Sequence, residues 1–166
     1  MLTTMQINPT GASVELAGLW NRTFHDDPAS IYAFYRQFAG HMDVMVQVDD
    51  HERILSAAHF LPVSYHFFRN EWKGSYLYAA MTDESQRGRG LMSQLMRLRM
   101  QQGAKDGEQF LCTLPAEAEL YSYYGRFGMV PLFALHRATM TRQQLMEHKL
   151  TLCFESKASP SFAYAS

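Results

Sequence analysis

The stretch that most constrains this chain runs from Gly74 to Met92, GSYLYAAMTDESQRGRGLM. Its first half alternates, with Tyr76, Tyr78, Ala80 and Thr82 set against Leu77, Ala79 and Met81, which is the period of a strand. Asp83-Glu84-Ser85-Gln86 then reads as a polar turn. Arg87-Gly88-Arg89-Gly90 follows, directly before a helical pattern. A glycine-bearing loop that enters a helix presents unpaired N–H groups, and the helix dipole adds partial positive charge there. Two guanidiniums suit phosphate oxygens. The stretch therefore predicts an anion site of pyrophosphate type. It is not a Walker A loop, because no Gly-Lys-Ser/Thr follows. It also lacks the third glycine and the downstream acid of a dinucleotide fingerprint.

The rest of the chain reads as alternating elements. Leu16, Leu19, Trp20 and Phe24 have helical spacing over 12–24, after an irregular lead-in at Met5 to Thr10. His25-Asp26-Asp27-Pro28 ends that helix, and Asp27 and Pro28 suit the N-cap and first turn of the next. This second helix carries Ile31, Phe34, Tyr35 and Phe38 and stops at Gly40. Strands are expected at Met42–Val48 and Ile54–Phe68, the second bent at Pro62, with Arg69 to Lys73 as the hairpin connection. His59 and His66 lie on that strand. After the loop, Leu91, Leu95 and Leu98, with Met92 and Met96, should form the buried face of a helix, and Ser93, Gln94, Arg97 and Gln101 the wet face. Further expectations are a strand at Phe110–Leu114, a helix at about 117–127, and a strand at Met129–Leu135. A capping box, Thr141-x-x-Gln144, should begin a short helix, and a last strand covers Leu150–Glu155. The order predicts a mixed α/β sheet with helices on both faces. One domain spans 1–155, and 156–166 form a loose tail.

Composition excludes several classes. At 166 residues the chain fits one domain with a proper core. Its net charge of −1 supplies no bulk field for nucleic acid or acidic membranes. No apolar run approaches the roughly 18 residues of a membrane span, and the N-terminus has no signal-peptide pattern. Cys112 and Cys153 lie in apolar, strand-like stretches and read as buried thiols. The seven histidines form no HExxH and no Cys/His ligand spacing, so no metal is expected. A cytoplasmic location follows as an expectation.

Arg87-Gly88-Arg89-Gly90-Leu91-Met92 resembles the Arg/Gln-x-x-Gly-x-Gly/Ala acetyl-CoA loop of the GNAT superfamily of N-acetyltransferases. Met92 stands where that loop usually has Gly or Ala. Tyr124-Gly125-Arg126-Phe127-Gly128-Met129 resembles the superfamily's Tyr-x-x-x-Gly-Phe segment, with Met for Phe. The two segments come in the expected order, separated by a helix and a strand, and span about a third of the chain. The Tyr-Gly-Arg-Phe-Gly wording is also similar to the N-terminal part of enhanced-intracellular-survival type acetyltransferases.

The resemblance implies a GNAT-like, mostly antiparallel central sheet whose central strands splay to admit a pantetheine arm. It implies acetyl-CoA as cosubstrate, held by the backbone of Arg87, Gly88, Arg89, Gly90, Leu91 and Met92 and by the strand edge at Met81 and Thr82. Tyr124 matches the tyrosine that protonates the leaving thiolate; Tyr121 and Tyr123 are its neighbours. The first two helices would wall the acceptor side, making Asp26 and Asp27 candidates for contact with a cationic amine on a small molecule or a peptide. Asp83, Glu84, Glu52 and His59 remain open as the general base, as does a water relay. A homodimer is one assembly such a domain can form. The alternative is a non-catalytic CoA or acyl-CoA sensor of the same fold, which Met92 would favour.

Overall fold

In a computed structural model, which describes residues 2–7 and 13–132, five strands form one sheet in the order β1-β2-β3-β4-β5. They are β1 (Thr3–Ile7), β2 (Asp43–Val48), β3 (Ile54–Phe67), β4 (Asn70–Thr82) and β5 (Phe110–Cys112). The first four pair antiparallel, and β5 joins β4 parallel. The helices are α1 (Val14–Phe24), α2 (Pro28–Phe38), α3 (Leu91–Lys105) and α4 (Glu119–Gly125), with one 3₁₀ turn at Glu84–Gln86.

Each face of the sheet carries a core. Leu16, Leu19 and Trp20 of α1 and Ile31 and Tyr35 of α2 pack on Val44, Val46, Val48, Ala57 and Met81. Leu95 and Met96 of α3 and Tyr124 of α4 pack on Met45, Ala58, Phe60 and Leu77. β2 is thus buried on both sides along most of its length, which explains why its polar Gln47 is wholly covered; its amide nitrogen donates to Thr4 Oγ1 and to Gln94 Oε1 of α3.

The capping expectation for α2 is met, and α1 is capped in the same way. Ser13 accepts from the Leu16 N–H, and Asp27 from the Ser30 N–H with Pro28 at the first helical position; each cap of this kind is worth about 1 kcal/mol. His25 takes a left-handed conformation between the two helices. The lead-in before α1 is different from the expectation: Thr3–Ile7 is an edge strand paired with β2. Five residues are too few for alternation to stand out, so only the pairing reveals it. The hairpin is also tighter than expected. Phe68 and Arg69 alone make the turn, and the ladder runs out to Phe67↔Asn70, with Tyr65 and Trp72 stacked across it at 5.7 Å. Pro62 sits in β3 beyond the last β2 pair, Asp43↔Phe60, where its missing N–H disrupts no ladder on that side.

Within β4 the alternation read from the sequence breaks. Ala57 faces Met81 and His59 faces Tyr78, so Ala58 alone opposes Ala79 and Ala80. That is a bulge with one extra residue on β4, and Ala79 has φ 44°, a left-handed value that costs an L-residue energy unless its surroundings hold it. The extra residue flips the side-chain phase. Leu77 and Ala80 face the α3 core, whereas Met81 is buried in the α1/α2 core.

The stripe of α3 is shifted as well. Leu98 is exposed, and the buried series runs Leu91, Leu95, Arg99, Gly103, with Met96 beside it. Arg99 is buried because it is paired. Its Nη2 bonds Glu108 and donates to Ser75 Oγ at 2.7 Å, and its guanidinium lies over the Phe60 ring, 5.1 Å from the centroid. A side chain at Gly103 would collide with Glu108 and Arg99. Hydropathy periodicity ranks Leu above Arg, so a buried ion pair of this sort reverses the expected face.

β5 is shorter than expected and ends at Cys112, and α4 spans only Glu119–Gly125. Residues 129–132 form no strand. The remainder of that expected strand, the Thr141 capping box, the Leu150–Glu155 strand, Cys153 and the 156–166 tail lie outside the described residues.

Candidate functional site

The loop between β4 and α3 is built on two glycines. Gly88 has φ 78° and Gly90, the residue that caps α3, has φ 76°. Only glycine adopts such values without strain, and a Cβ at either position would meet nothing within 4 Å. The reason for glycine is backbone conformation, and the space over the loop is open. Among the described residues, no bond is made by the N–H groups of Gly88, Arg89, Gly90, Leu91, Met92 or Ser93. These are the donors a pyrophosphate needs at a helix start. Met92 is partly buried and packs against the core cluster that holds Leu95 and Met96. Arg87 and Arg89 flank the loop on two sides. Arg87 lines a cleft of about 390 Å³ with Arg22, Thr23, Asp83 and Glu84. Arg89 bonds Gln86 and lines a second cleft of about 340 Å³ with Arg53.

From this loop β4 leads back to a gap. The β4–β5 ladder holds only Gly74↔Phe110, Ser75↔Leu111 and Tyr76↔Cys112. Beyond Tyr76 the strands part, and Thr113 Oγ1 donates to the Leu77 carbonyl at 3.1 Å. Among the described residues, β4 from Tyr78 to Thr82 therefore has a strand partner on one edge only. The splay expected from the resemblance is present. Met81 contributes backbone alone, since its side chain is fully buried, and Thr82 Oγ1 lies 3.1 Å from Ser56 Oγ.

Tyr124 sits by this gap. It is 9% exposed. Burial pushes its hydroxyl above the ordinary tyrosine range, while the neighbouring Thr113 side chain pulls the other way. A tyrosine in that state keeps its proton at neutral pH, the form a donor requires. Tyr76 is close enough to interact electrostatically, and burial raises its hydroxyl too. Tyr123 points elsewhere, toward Ser93 Oγ at 3.4 Å and under the Arg126 guanidinium. Tyr121 is half exposed on the outer surface. Thr113 and Tyr76 are site residues that sequence reasoning passed over, because nothing but the parting of the strands marks them.

On the other face, Trp20, Phe34, Tyr35, Tyr78 and His59 form an aromatic cluster; Phe34 stacks on Tyr78 at 5.2 Å and Trp20 meets His59 edge-on at 5.2 Å. Asp26 and Asp27 stand at its rim, exposed, and both have structural work. Asp26 Oδ2 accepts from the Trp20 indole at 2.8 Å, and Asp27 caps α2. His59 is wholly buried, and burial lowers its pKa to about 4, backbone groups of Ala79 and Tyr78 offsetting this in part. It has no exposed nitrogen with which to take a proton from a substrate. Asp83 is held as a carboxylate below its ordinary range by Ser85 first and Arg22 further down, which makes it a weak base. Glu84 and Glu52 are exposed, Glu52 in the β2–β3 turn with φ 61°. No group of three His, Cys, Asp or Glu among the described residues could hold a metal ion, and no described helix is long and apolar enough to cross a membrane.

Comparison with known proteins agrees with this geometry. The profile of the family described as "Acetyltransferase (GNAT) domain" matches residues 10–132. A search of curated proteins gave no significant match. Glucosamine-6-phosphate N-acetyltransferase from Arabidopsis thaliana superposes with TM-score 0.63 at 12% identity, over 85% of this chain and 99% of that one. An aminoglycoside acetyltransferase from an uncultured soil metagenomic sample gives 0.65 at 15% identity, over 85% and 99%. A predicted acetyltransferase from Clostridium acetobutylicum, solved with acetyl-CoA, gives 0.66 at 12%, over 90% and 100%. At these identities the likeness is one of fold, and the family match carries the assignment: the chain belongs to the GNAT acetyltransferase domain family.

Proposed function

We propose that this domain transfers an acetyl group from acetyl-CoA to a primary amine by direct attack. One observation supports the reading above others: a buried tyrosine, Tyr124, beside the point where β4 and β5 part, on a strand that leads to a loop of free amides. Bound acetyl-CoA would supply an activated thioester. The loop amides from Gly88 to Met92 would hold its pyrophosphate, and the open edge of β4 would pair with the pantetheine amides as an added strand does. In the reaction a C–N bond forms to the acetyl carbon and the C–S bond breaks. The amine proton leaves to a base or water, and Tyr124 donates its proton to the departing sulfur. Met92, the residue that favoured a sensor, is partly buried and packs against the α3 core, which supports the catalytic reading over that alternative.

The acceptor is expected from the aromatic face, past Tyr78 and Phe34, with the free oxygens of Asp26 and Asp27 at the rim. The test is thiol release from acetyl-CoA across polyamines, amino acids, aminoglycosides and peptides. Turnover should appear with at least one amine class. With a cationic amine, Asp26→Asn combined with Asp27→Asn should raise the KM for that amine and leave the KM for acetyl-CoA unchanged. An unchanged amine KM would reduce both acids to the Trp20 and α2 contacts they already make.

A further inference from the structure

The bulge in β4 is held from the α2 side by a chain of two buried hydrogen bonds. His59 Nδ1 lies 3.2 Å from the Ala79 carbonyl, and His59 Nε2 lies 2.6 Å from the Tyr35 hydroxyl. A carbonyl can only accept, so Nδ1 carries the proton and Nε2 accepts from Tyr35. The tautomer is set by the chain itself. Both side chains are wholly buried, and Trp20 and Phe34 rings pack on the imidazole and keep water out.

The bond matters because of what it fixes. Ala79 is at φ 44° and lacks the freedom of glycine. Its carbonyl is taken by a side chain at a point where the ladder slips by one residue. No cis peptide bond occurs among the described residues, so the Ala80 N–H, in the same plane as the Ala79 carbonyl, points the opposite way. It points away from the His59 nitrogen that the carbonyl faces, on a strand whose other edge has lost β5.

We infer that Tyr35 and His59 are a positioning pair: they fix the Ala79–Ala80 peptide of the bulge and so aim the Ala80 N–H into the gap between β4 and β5. This rests on the function proposed above, in which the thioester carbonyl of acetyl-CoA occupies that gap. A donor held there stabilises charge as it develops on the carbonyl oxygen, and a missing donor of this kind costs about 10²–10³ in turnover. A loosened donor costs less, so about 10–10²-fold is expected.

The experiment compares His59→Leu, His59→Asn and Tyr35→Phe with the parent. Asn keeps a donor near the Nδ1 position, and Leu does not. In His59→Leu, kcat should fall about 10–10²-fold, with the dissociation constant for CoA unchanged, and His59→Asn should recover most of the loss. A merely structural role would move kcat and CoA binding together with the folded fraction, and Asn would not rescue. Parent kcat in a folded His59→Leu protein would overturn the inference.

If His59→Leu does not fold, NMR on the parent and Tyr35→Phe decides. The parent imidazole should carry its proton on Nδ1, and the Ala80 amide should shift more with acetyl-CoA than with CoA. Protonation on Nε2, or an Ala80 amide indifferent to the acetyl group, would contradict it. Failure of acetyl-CoA to bind the parent at all would instead remove the proposed function, and the imidazole measurement would still stand on its own.

Discussion

Tyr124→Phe should lower turnover by about 10²–10⁴-fold, the usual worth of a positioned general acid, with the dissociation constant for acetyl-CoA nearly unchanged. The hydroxyl acts on charge that appears only as the thiolate leaves, so its removal touches the rate and spares ground-state binding. The ring is 9% exposed and packs with Leu77, Leu95 and Met96, and Phe keeps that packing. What is lost is the hydroxyl's interaction with the neighbouring Thr113 side chain, at most about 1 kcal/mol. Tyr123→Phe is the control, because its hydroxyl reaches Ser93 and not the gap. Steady-state thiol release beside calorimetric CoA binding separates the two effects. Equal turnover in Tyr124→Phe and the parent would assign the proton to another group or to water.

The second large effect is on stability in acid. His59 has a pKa of about 4 in the folded protein against an ordinary 6.5, because burial penalises its charged form. Between those values the unfolded chain binds a proton that the folded chain refuses. Stability from this group is therefore complete above about pH 6.5 and is lost as pH falls toward 4. The full loss is about 3 kcal/mol, from roughly 1.4 kcal/mol per pKa unit. Carboxylates titrate in the lower part of the same window, and a difference measurement isolates the histidine. Denaturant unfolding of the parent and of His59→Asn at steps from pH 7.5 to 4 should show the parent losing about 3 kcal/mol more. Parallel curves would mean that the imidazole titrates in the fold as it does in the unfolded chain, against the burial penalty that keeps it neutral.

Much of the candidate site's backbone geometry was legible in the sequence because it is local. A strand followed by Arg-Gly-Arg-Gly and a helical pattern specifies free amides at a helix start, and Gly88 and Gly90 adopt the backbone that only glycine tolerates. Asp27-Pro28 announced its own cap. What escaped the sequence depends on pairing across distance. The bulge at Ala79-Ala80 is invisible in an unbroken alternation, since only the register with β3 shows that Ala58 faces two residues. Arg99 displaced Leu98 from the buried stripe because Glu108 and Ser75, on other elements, satisfy its guanidinium. β1 is a strand through β2, and its own five residues carry too little pattern to say so. His59, read as a candidate base, is a neutral donor for the same reason: its partners come from α2 and β4.

The most direct measurement is a calorimetric titration of acetyl-CoA into the parent and into Gly90→Asp, with thermal unfolding alongside. The free amides and the left-handed Gly90 are the claim's physical basis, and an aspartate there adds both backbone strain and a carboxylate at an anion site. The parent should bind with one-to-one stoichiometry and gain about 2.7 kcal/mol of stability at 100 times the dissociation constant. Gly90→Asp should remain folded and lose most of that binding. A parent that shows neither heat nor stabilisation with acetyl-CoA, or a Gly90→Asp variant that binds as the parent does, would contradict the account.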